Sequence, residues 1–162
     1  MQRRTYKDVL ETAALPVRQF GTGEVADILQ IPVWRLQKFL DVKSYPLAAS
    51  GRLGPEGRRG SRRLFSETDV YRLGVAVRMW KDGFTPELIV TVLSEVEDRD
   101  LLGIDEQGRK AHWWWVLLKR GKEGPKVDFS RQPPQITEGN GVYYALSLRA
   151  VVAGLKTRME SL

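Results

Sequence analysis

The segment Gly23-Glu24-Val25-Ala26-Asp27-Ile28-Leu29 has the pattern of a short amphipathic helix. Its apolar residues Val25, Ile28 and Leu29 recur at helical spacing and should face inward, and Thr22 is the predicted cap at its start. The next two residues form a predicted tight turn, and a second helical pattern follows at once. This order of elements indicates a helix-turn-helix.

The second helix is predicted from about Val33 to Asp41, with Val33, Leu36 and Leu40 facing the core. Trp34, at the start of this helix, fits either a partly buried anchor or a DNA contact. The side chains predicted to point outward, where a DNA groove would meet them, are Arg35, Gln37 and Lys38.

Four arginines lie about thirty residues after the first helix, in Arg58-Arg59-Gly60-Ser61-Arg62-Arg63. Residues 43–60, which lead into them, have little periodicity and carry a glycine at every third position from Gly51. A nucleotide-phosphate loop is not indicated, because no Gly-Lys-Ser/Thr sequence closes the glycines. The pattern favours a flexible hairpin, or wing, whose arginines contact phosphates or the minor groove; a solvated cationic loop is the alternative.

Two further helices have clear start signals. Ser66 and Asp69 form a capping box that opens a helix through Lys81, and Thr85 followed by Pro86 opens the next one. An additional short helix is predicted over residues 6–14. All of these helices belong to the region before residue 94.

The chain changes character after Ser94, because residues 94–110 carry six carboxylates and two glycines and read as an acidic connector. Apolar patterns then predict three strands, the first at His112-Trp113-Trp114-Trp115-Val116-Leu117-Leu118, and a closing helix over residues 151–159. The predicted fold is α+β: a helical winged helix-turn-helix domain followed by a small β-β-β-α unit. The predicted divisions are an N-terminal extension 1–19, a DNA-binding domain 20–93, the connector 94–110 and a dimerisation or interaction domain 111–162.

Positive charge is concentrated in the first part of the chain. Residues 1–64 hold 12 Lys+Arg and 6 Asp+Glu, whereas residues 65–162 hold 14 of each. A basic region on an otherwise balanced protein is typical of a polyanion binder.

Several classes of protein are disfavoured by composition. The chain has no cysteine and a single histidine, His112, so we expect no metal site and no cofactor. No catalytic motif is present, so we predict a protein that is not an enzyme. No apolar run suits a membrane span or a signal core, and we therefore expect a cytoplasmic, nucleoid-associated protein without membrane contact.

Five pieces of sequence carry a family resemblance through their order and spacing. They are Phe20-Gly21-Thr22-Gly23-Glu24-Val25-Ala26 in the first helix, Leu36 in the second, Pro46 in the loop, Arg63-Leu64-Phe65-Ser66-Glu67-Thr68-Asp69 at the wing exit, and Lys81-Asp82-Gly83-Phe84-Thr85 before the fourth helix. With these pieces, residues 20–93 resemble the DNA-binding domain of the MerR family of bacterial transcription regulators.

The resemblance implies a transcription regulator that binds double-stranded DNA as a homodimer. It further implies action with RNA polymerase at promoters with an overlong spacer, through distortion of the duplex. Where the family's recognition helix usually has an arginine and two tyrosines, this chain has Gln37-Lys38-Phe39, so its operator preference is its own. Related excisionases and phage DNA-packaging subunits share the winged module.

Two alternatives therefore stay open: an architectural DNA-binding protein, and a protein-interaction adaptor with secondary DNA binding. The candidate DNA contacts predicted from the sequence are Thr22, Trp34, Arg35, Gln37, Lys38, Arg58, Arg59, Arg62 and Arg63.

Overall fold

The computed structural model of the protein describes residues 18–41 and 63–162. Helices and strands are mixed along this chain, which confirms the predicted α+β class. The helix predicted at 6–14, Pro46 and the arginines at 58, 59 and 62 lie outside the described residues, and the winged helix-turn-helix interpretation of residues 20–93 stays a prediction.

The N-terminal elements are two short strands and two short helices. Strands β1 and β2 pair antiparallel, with Phe20 opposite Phe65, and both of these rings are buried. Because the register pairs Gly21 with Leu64 and Gln19 with Ser66, the first helix starts at one end of this ribbon and the third helix starts at the other. The bounds are β1 Gln19–Gly21, α1 Thr22–Leu29, α2 Val33–Phe39 and β2 Leu64–Ser66.

Helix α1 has the predicted inward face, because Val25, Ile28 and Leu29 are all buried. The prediction that Thr22 caps this helix is wrong, since Gly21 occupies the cap position and Thr22 is the first helical residue. The Glu24 carboxylate takes over part of the cap by accepting a hydrogen bond from the Gly21 N–H at 3.1 Å. The predicted turn is confirmed, with Gln30 in the left-handed conformation at φ 55°.

The inward face of helix α2 differs from the predicted one. Val33, predicted to face the core, is 43% exposed, whereas Leu36 and Phe39 are buried. The helix ends at Phe39, two residues earlier than predicted, and the Phe39 ring meets Trp80 edge to face at a centroid distance of 5.9 Å. The buried side of α2 therefore includes Phe39, which packs on a ring distant in sequence, and does not include Val33.

Helices α3 (Glu67–Lys81) and α4 (Pro86–Glu95) begin as predicted. Ser66 accepts from the Asp69 N–H at 3.1 Å while Asp69 accepts from the Ser66 N–H at 3.0 Å, which confirms the capping box. Thr85 accepts from the Leu88 N–H, which confirms it as the cap of α4. A fifth helix, α5 (Asp98–Leu102), lies within the segment interpreted as an acidic connector.

The variant Ser66→Ala should lower the free energy of unfolding by about 1 kcal/mol, because it removes one half of the capping box of the longest helix described. Urea denaturation followed by circular dichroism measures this change. Ser94→Ala serves as the control, since its exposed hydroxyl caps no helix start. Equal stability of the two variants would contradict the assigned role of Ser66.

The C-terminal part forms the predicted β-β-β-α unit. Its antiparallel sheet has the strand order β4-β3-β5, so β3 lies in the centre. Strand β3 begins at Trp115, later than predicted. The closing helix begins at Leu148, earlier than predicted, behind its cap Ser147. The bounds are β3 Trp115–Gly121, β4 Gly124–Ser130, β5 Val142–Ser147 and α6 Leu148–Glu160, with a 3-10 turn at Glu138–Asn140.

The closing helix α6 packs on the N-terminal helices. Leu155 of α6 lies against Gly74 of α3, where a larger residue would collide with it. Arg158 donates a hydrogen bond of 2.8 Å to the carbonyl of Ile28 at the end of α1. One cluster of buried residues consequently includes side chains from both the predicted domain 20–93 and the predicted domain 111–162. The domain boundary at 94–110 stays a prediction.

No helix within residues 18–41 and 63–162 has the length and apolarity that crossing a membrane requires.

Candidate nucleic-acid interface

Helix α2 exposes a polar face on one side and anchors itself on the other. Gln37 and Lys38 are exposed, and Trp34 is 54% exposed although it is a large aromatic residue. Leu36 and Phe39, on the opposite side, are buried in the core. The helix therefore presents neighbouring amide, ammonium and indole groups from a fixed backbone.

Arg35 is half-buried, and its guanidinium lies over two indole rings. The guanidinium carbon lies 4.5 Å from the centroid of Trp34 and 4.5 Å from that of Trp80. Such cation–π contacts contribute about 0.5–1 kcal/mol each at exposed sites. A guanidinium stacked on its faces keeps the N–H donors at its edge for hydrogen bonds, so Arg35 is oriented without losing its donors.

Trp80 is a component of this site that the sequence did not reveal. The Trp80 ring is half-buried and lies against both Phe39 and Arg35. A tryptophan in the last turn of a helix gives no signal of a partner more than forty residues earlier in the chain. Only the packing of α2 against α3 identifies it.

Thr22 and Arg63 lie at neighbouring register positions. Gly21 of β1 pairs with Leu64 of β2, so the residue after Gly21 and the residue before Leu64 occupy the same end of the two-stranded ribbon. The Arg63 guanidinium lies over the Phe65 ring at 5.2 Å, and its buried Nη2 has no hydrogen-bond partner among the described residues. The last arginine of the predicted wing is thereby placed beside the start of α1.

Tyr144 links the sheet to the end of α3. Its hydroxyl donates a hydrogen bond of 2.6 Å to the Asp82 carboxylate, and its ring lies edge-on to Phe84 at 4.5 Å. Burial raises the pKa of Tyr144 above its usual range, and the bond to Asp82 acts in the same direction. The hydroxyl therefore stays protonated and keeps donating through the physiological pH range.

The end of the molecule near α5 has a different character. A cavity of about 600 Å³ is lined there by Trp114 and Phe129 together with Glu95, Asp100 and Glu106. Burial raises the pKa of Asp100. Across residues 18–41 and 63–162, no group of three or more acidic or histidine side chains is arranged to hold a metal ion. Arg99, Lys110 and Arg131 line the same cavity, so this end carries charges of both signs.

The sequence matches no known protein family model and no curated protein.

Proposed function

We propose that this protein is a sequence-specific regulator that binds double-stranded DNA, with α1 and α2 acting as a helix-turn-helix and α2 entering the major groove. The observation that supports this most directly is the exposed face of α2. It carries Gln37, Lys38 and the stacked Arg35, while Leu36 and Phe39 fix the helix to the core. Outward polar residues on the second helix of such a pair are the groups that read base edges.

The chemistry of this face suits direct readout of bases. Gln37 can form two hydrogen bonds with the major-groove edge of adenine, and Arg35 and Lys38 can reach guanine or a phosphate. An α-helix with its side chains is about 10–12 Å in diameter, which a major groove about 12 Å wide accepts. Trp34 borders the same face and supplies an apolar contact.

Contacts with the DNA backbone are proposed at the start of α1 and in the arginine segment. Thr22 and Arg63 share one end of the β1–β2 ribbon, and the N–H groups at a helix start favour phosphate. Arg58, Arg59 and Arg62, which precede Arg63 in the sequence, would extend this grip as a wing. The MerR resemblance adds a homodimer on a promoter, with an inverted repeat as its operator.

The distribution of charge also supports the proposal. The cavity near α5 is lined by charges of both signs, four carboxylates together with Arg99, Lys110 and Arg131. Basic residues occupy α2 and the end of α3. An exposed basic surface of this kind attracts a polyanion.

Fluorescence anisotropy with the duplex upstream of the protein's own gene, against a scrambled duplex, tests this proposal. We expect a preference of about 10³-fold or more for the native duplex and an affinity that falls steeply with salt. Equal binding to both duplexes would favour the architectural alternative, an excisionase-like or packaging protein. Failure to bind any duplex would refute the proposal and direct attention to an adaptor role.

The variant Gln37→Ala should weaken binding to the preferred duplex by roughly 5- to 150-fold, which corresponds to about 1–3 kcal/mol for one bidentate base contact. Binding to the scrambled duplex should change little, so the preference between duplexes should shrink. The matched control is Gln132→Ala, an exposed glutamine in the segment after β4. Equal weakening on both duplexes would exclude Gln37 from base reading.

A further inference from the structure

The turn between β3 and β4 forms a basic protrusion, which we call the hairpin tip, made of Lys119-Arg120-Gly121-Lys122-Glu123-Gly124-Pro125-Lys126. Arg120, Lys122 and Lys126 are exposed, and none of them takes part in an ion pair within the described part of the chain. Glu123 is the one carboxylate in the segment. The tip therefore carries an excess of positive charge into solvent.

The pairing within the tip is electrostatically unfavourable. Lys119 and Lys126 are direct cross-strand partners, and like charges directly opposite each other destabilise an antiparallel pair. The Asp128 carboxylate compensates in part, through a bond of 2.7 Å from Lys119 Nζ. That hydrogen bond is the main cause of the lowered pKa of Asp128. One carboxylate cannot neutralise both lysines, so an external anion would relieve the remaining repulsion.

The position of the tip follows from contacts at the two ends of the sheet. Tyr144, which bonds Asp82 in the turn between α3 and α4, is the register partner of Leu118, directly before the tip. Trp113, just before the other end of β3, packs against Gly103 after α5. The strands of the sheet thus run along the neighbouring helices α3 and α4. The hairpin tip extends past the turn that joins these two helices.

The exposed polar face of α2, which carries Gln37 and Lys38, lies at this same end of the helices α3 and α4. Trp80, which holds Arg35 and Phe39 of α2, is in the last turn of α3 and only two residues before Asp82. The far end of the pair is marked by Arg72, which bonds carbonyls at the end of α4. Lys81, which is exposed, lies on the last turn of α3 and supplies further positive charge there.

We propose that the hairpin tip is a second DNA contact, in which Arg120, Lys122 and Lys126 hold backbone phosphates beside the groove that α2 reads. This inference rests on the proposed function and adds to it a surface from the C-terminal sheet. Lys122 lies four residues beyond Leu118, a reach of roughly 13 Å along the strand direction. The contact carries no sequence information, because phosphate contacts position a protein without specifying bases.

The test compares the triple variant Arg120→Gln/Lys122→Gln/Lys126→Gln with the full-length wild type on the preferred and scrambled duplexes. We expect affinity for both duplexes to fall roughly 10- to 100-fold, and the slope of log K against log salt to flatten by about 0.9 for each phosphate that the variant no longer neutralises. The ratio of affinities for the two duplexes should stay constant. Anisotropy titrations between about 50 and 200 mM salt measure all three quantities.

The control variant Lys110→Gln/Arg149→Gln/Lys156→Gln removes the same charge from exposed positions outside the tip. The exchange variant Arg120→Lys/Lys122→Arg/Lys126→Arg keeps the charge and should bind like the wild type. A triple tip variant that binds like the control, while the wild type binds duplex DNA, would overturn the tip contact and leave the α2 proposal intact. Wild-type protein that binds no duplex would overturn the proposed function and the tip contact together.

Discussion

The variant Arg72→Ala should lower the free energy of unfolding by about 3–5 kcal/mol, which is a large part of the stability of a typical domain. Arg72 is only 1% exposed, and its Nη1 donates to the carbonyls of Leu93 at 3.0 Å and Val96 at 2.9 Å. Its Nη2 bonds the Asp98 carboxylate at 2.6 Å. Alanine would remove these donors and leave a cavity between α3, α4 and α5.

Companion variants separate the causes of this destabilisation. Arg72→Met fills most of the volume of the arginine side chain, so it should avoid the loss of stability that comes from the cavity. Its free energy of unfolding should stay about 1–3 kcal/mol below that of the wild type, because the hydrogen bonds are missing. Asp98→Asn keeps a hydrogen-bond acceptor opposite Arg72 at an exposed position. It should therefore lower the free energy of unfolding by less than Arg72→Met does. Chemical denaturation measures each value.

Arg78→Ala is the matched control on the same helix. Arg78 is largely exposed and pairs with Asp82 at 3.2 Å, so its removal should cost less than about 1 kcal/mol. If Arg72→Ala were no more destabilising than Arg78→Ala, the buried arginine would not be what joins these three helices.

The second large effect is expected for Gly103→Ala, which should destabilise the fold by about 2–5 kcal/mol, the sum of a backbone cost and a packing cost. Gly103 follows α5 in the left-handed conformation at φ 65°, where a residue with a Cβ costs roughly 1–2 kcal/mol. A Cβ at this position would also lie 2.6 Å from two ring atoms of Trp113. Displacing the indole adds an overpacking cost of about 1–3 kcal/mol.

Two further variants distinguish the backbone cost from the collision. Gly83→Ala has a positive φ of 90° but open space for a Cβ, so it should carry the backbone cost alone. In the double variant Gly103→Ala/Trp113→Leu the collision is relieved, so the destabilisations of the two single variants should add up to more than that of the double variant. If thermal denaturation showed that the destabilisations of the two single variants add up to that of the double variant, the Trp113 indole would not be what excludes a Cβ at position 103.

Local signals in the sequence determined most of the secondary structure. The capping box of Ser66 and Asp69 and the Thr85-Pro86 start set the beginnings of α3 and α4, because cap bonds join residues three apart. The apolar spacing of Val25, Ile28 and Leu29 predicted the buried face of α1. The β-β-β-α order was predictable for the same reason, since alternation and turn residues act over a few positions.

For the candidate site, the sequence identified the exposed polar residues of α2 but not their supports. Val33 and Phe39 both fit an apolar helical pattern, and the Trp80 ring, distant in sequence, selected Phe39 for the core. The orientation of Arg35 likewise depends on that ring. Periodicity ranks residues by hydrophobicity and spacing, so it cannot identify a partner that is distant along the chain.

Only the tertiary structure decided how the two halves of the chain meet. No local pattern marks Arg72 as buried, yet it is buried because three acceptors, at the end of α4 and at the start of α5, converge on it. The Tyr144–Asp82 bond, which aligns the hairpin tip with the α2 end, joins residues 62 positions apart. The sequence thus determined the helices, the strands and the charged groups, since short-range hydrogen bonding and apolar spacing specify them. Their alignment was decided by long-range packing, whose free energy depends on contacts that exist only once the chain is folded.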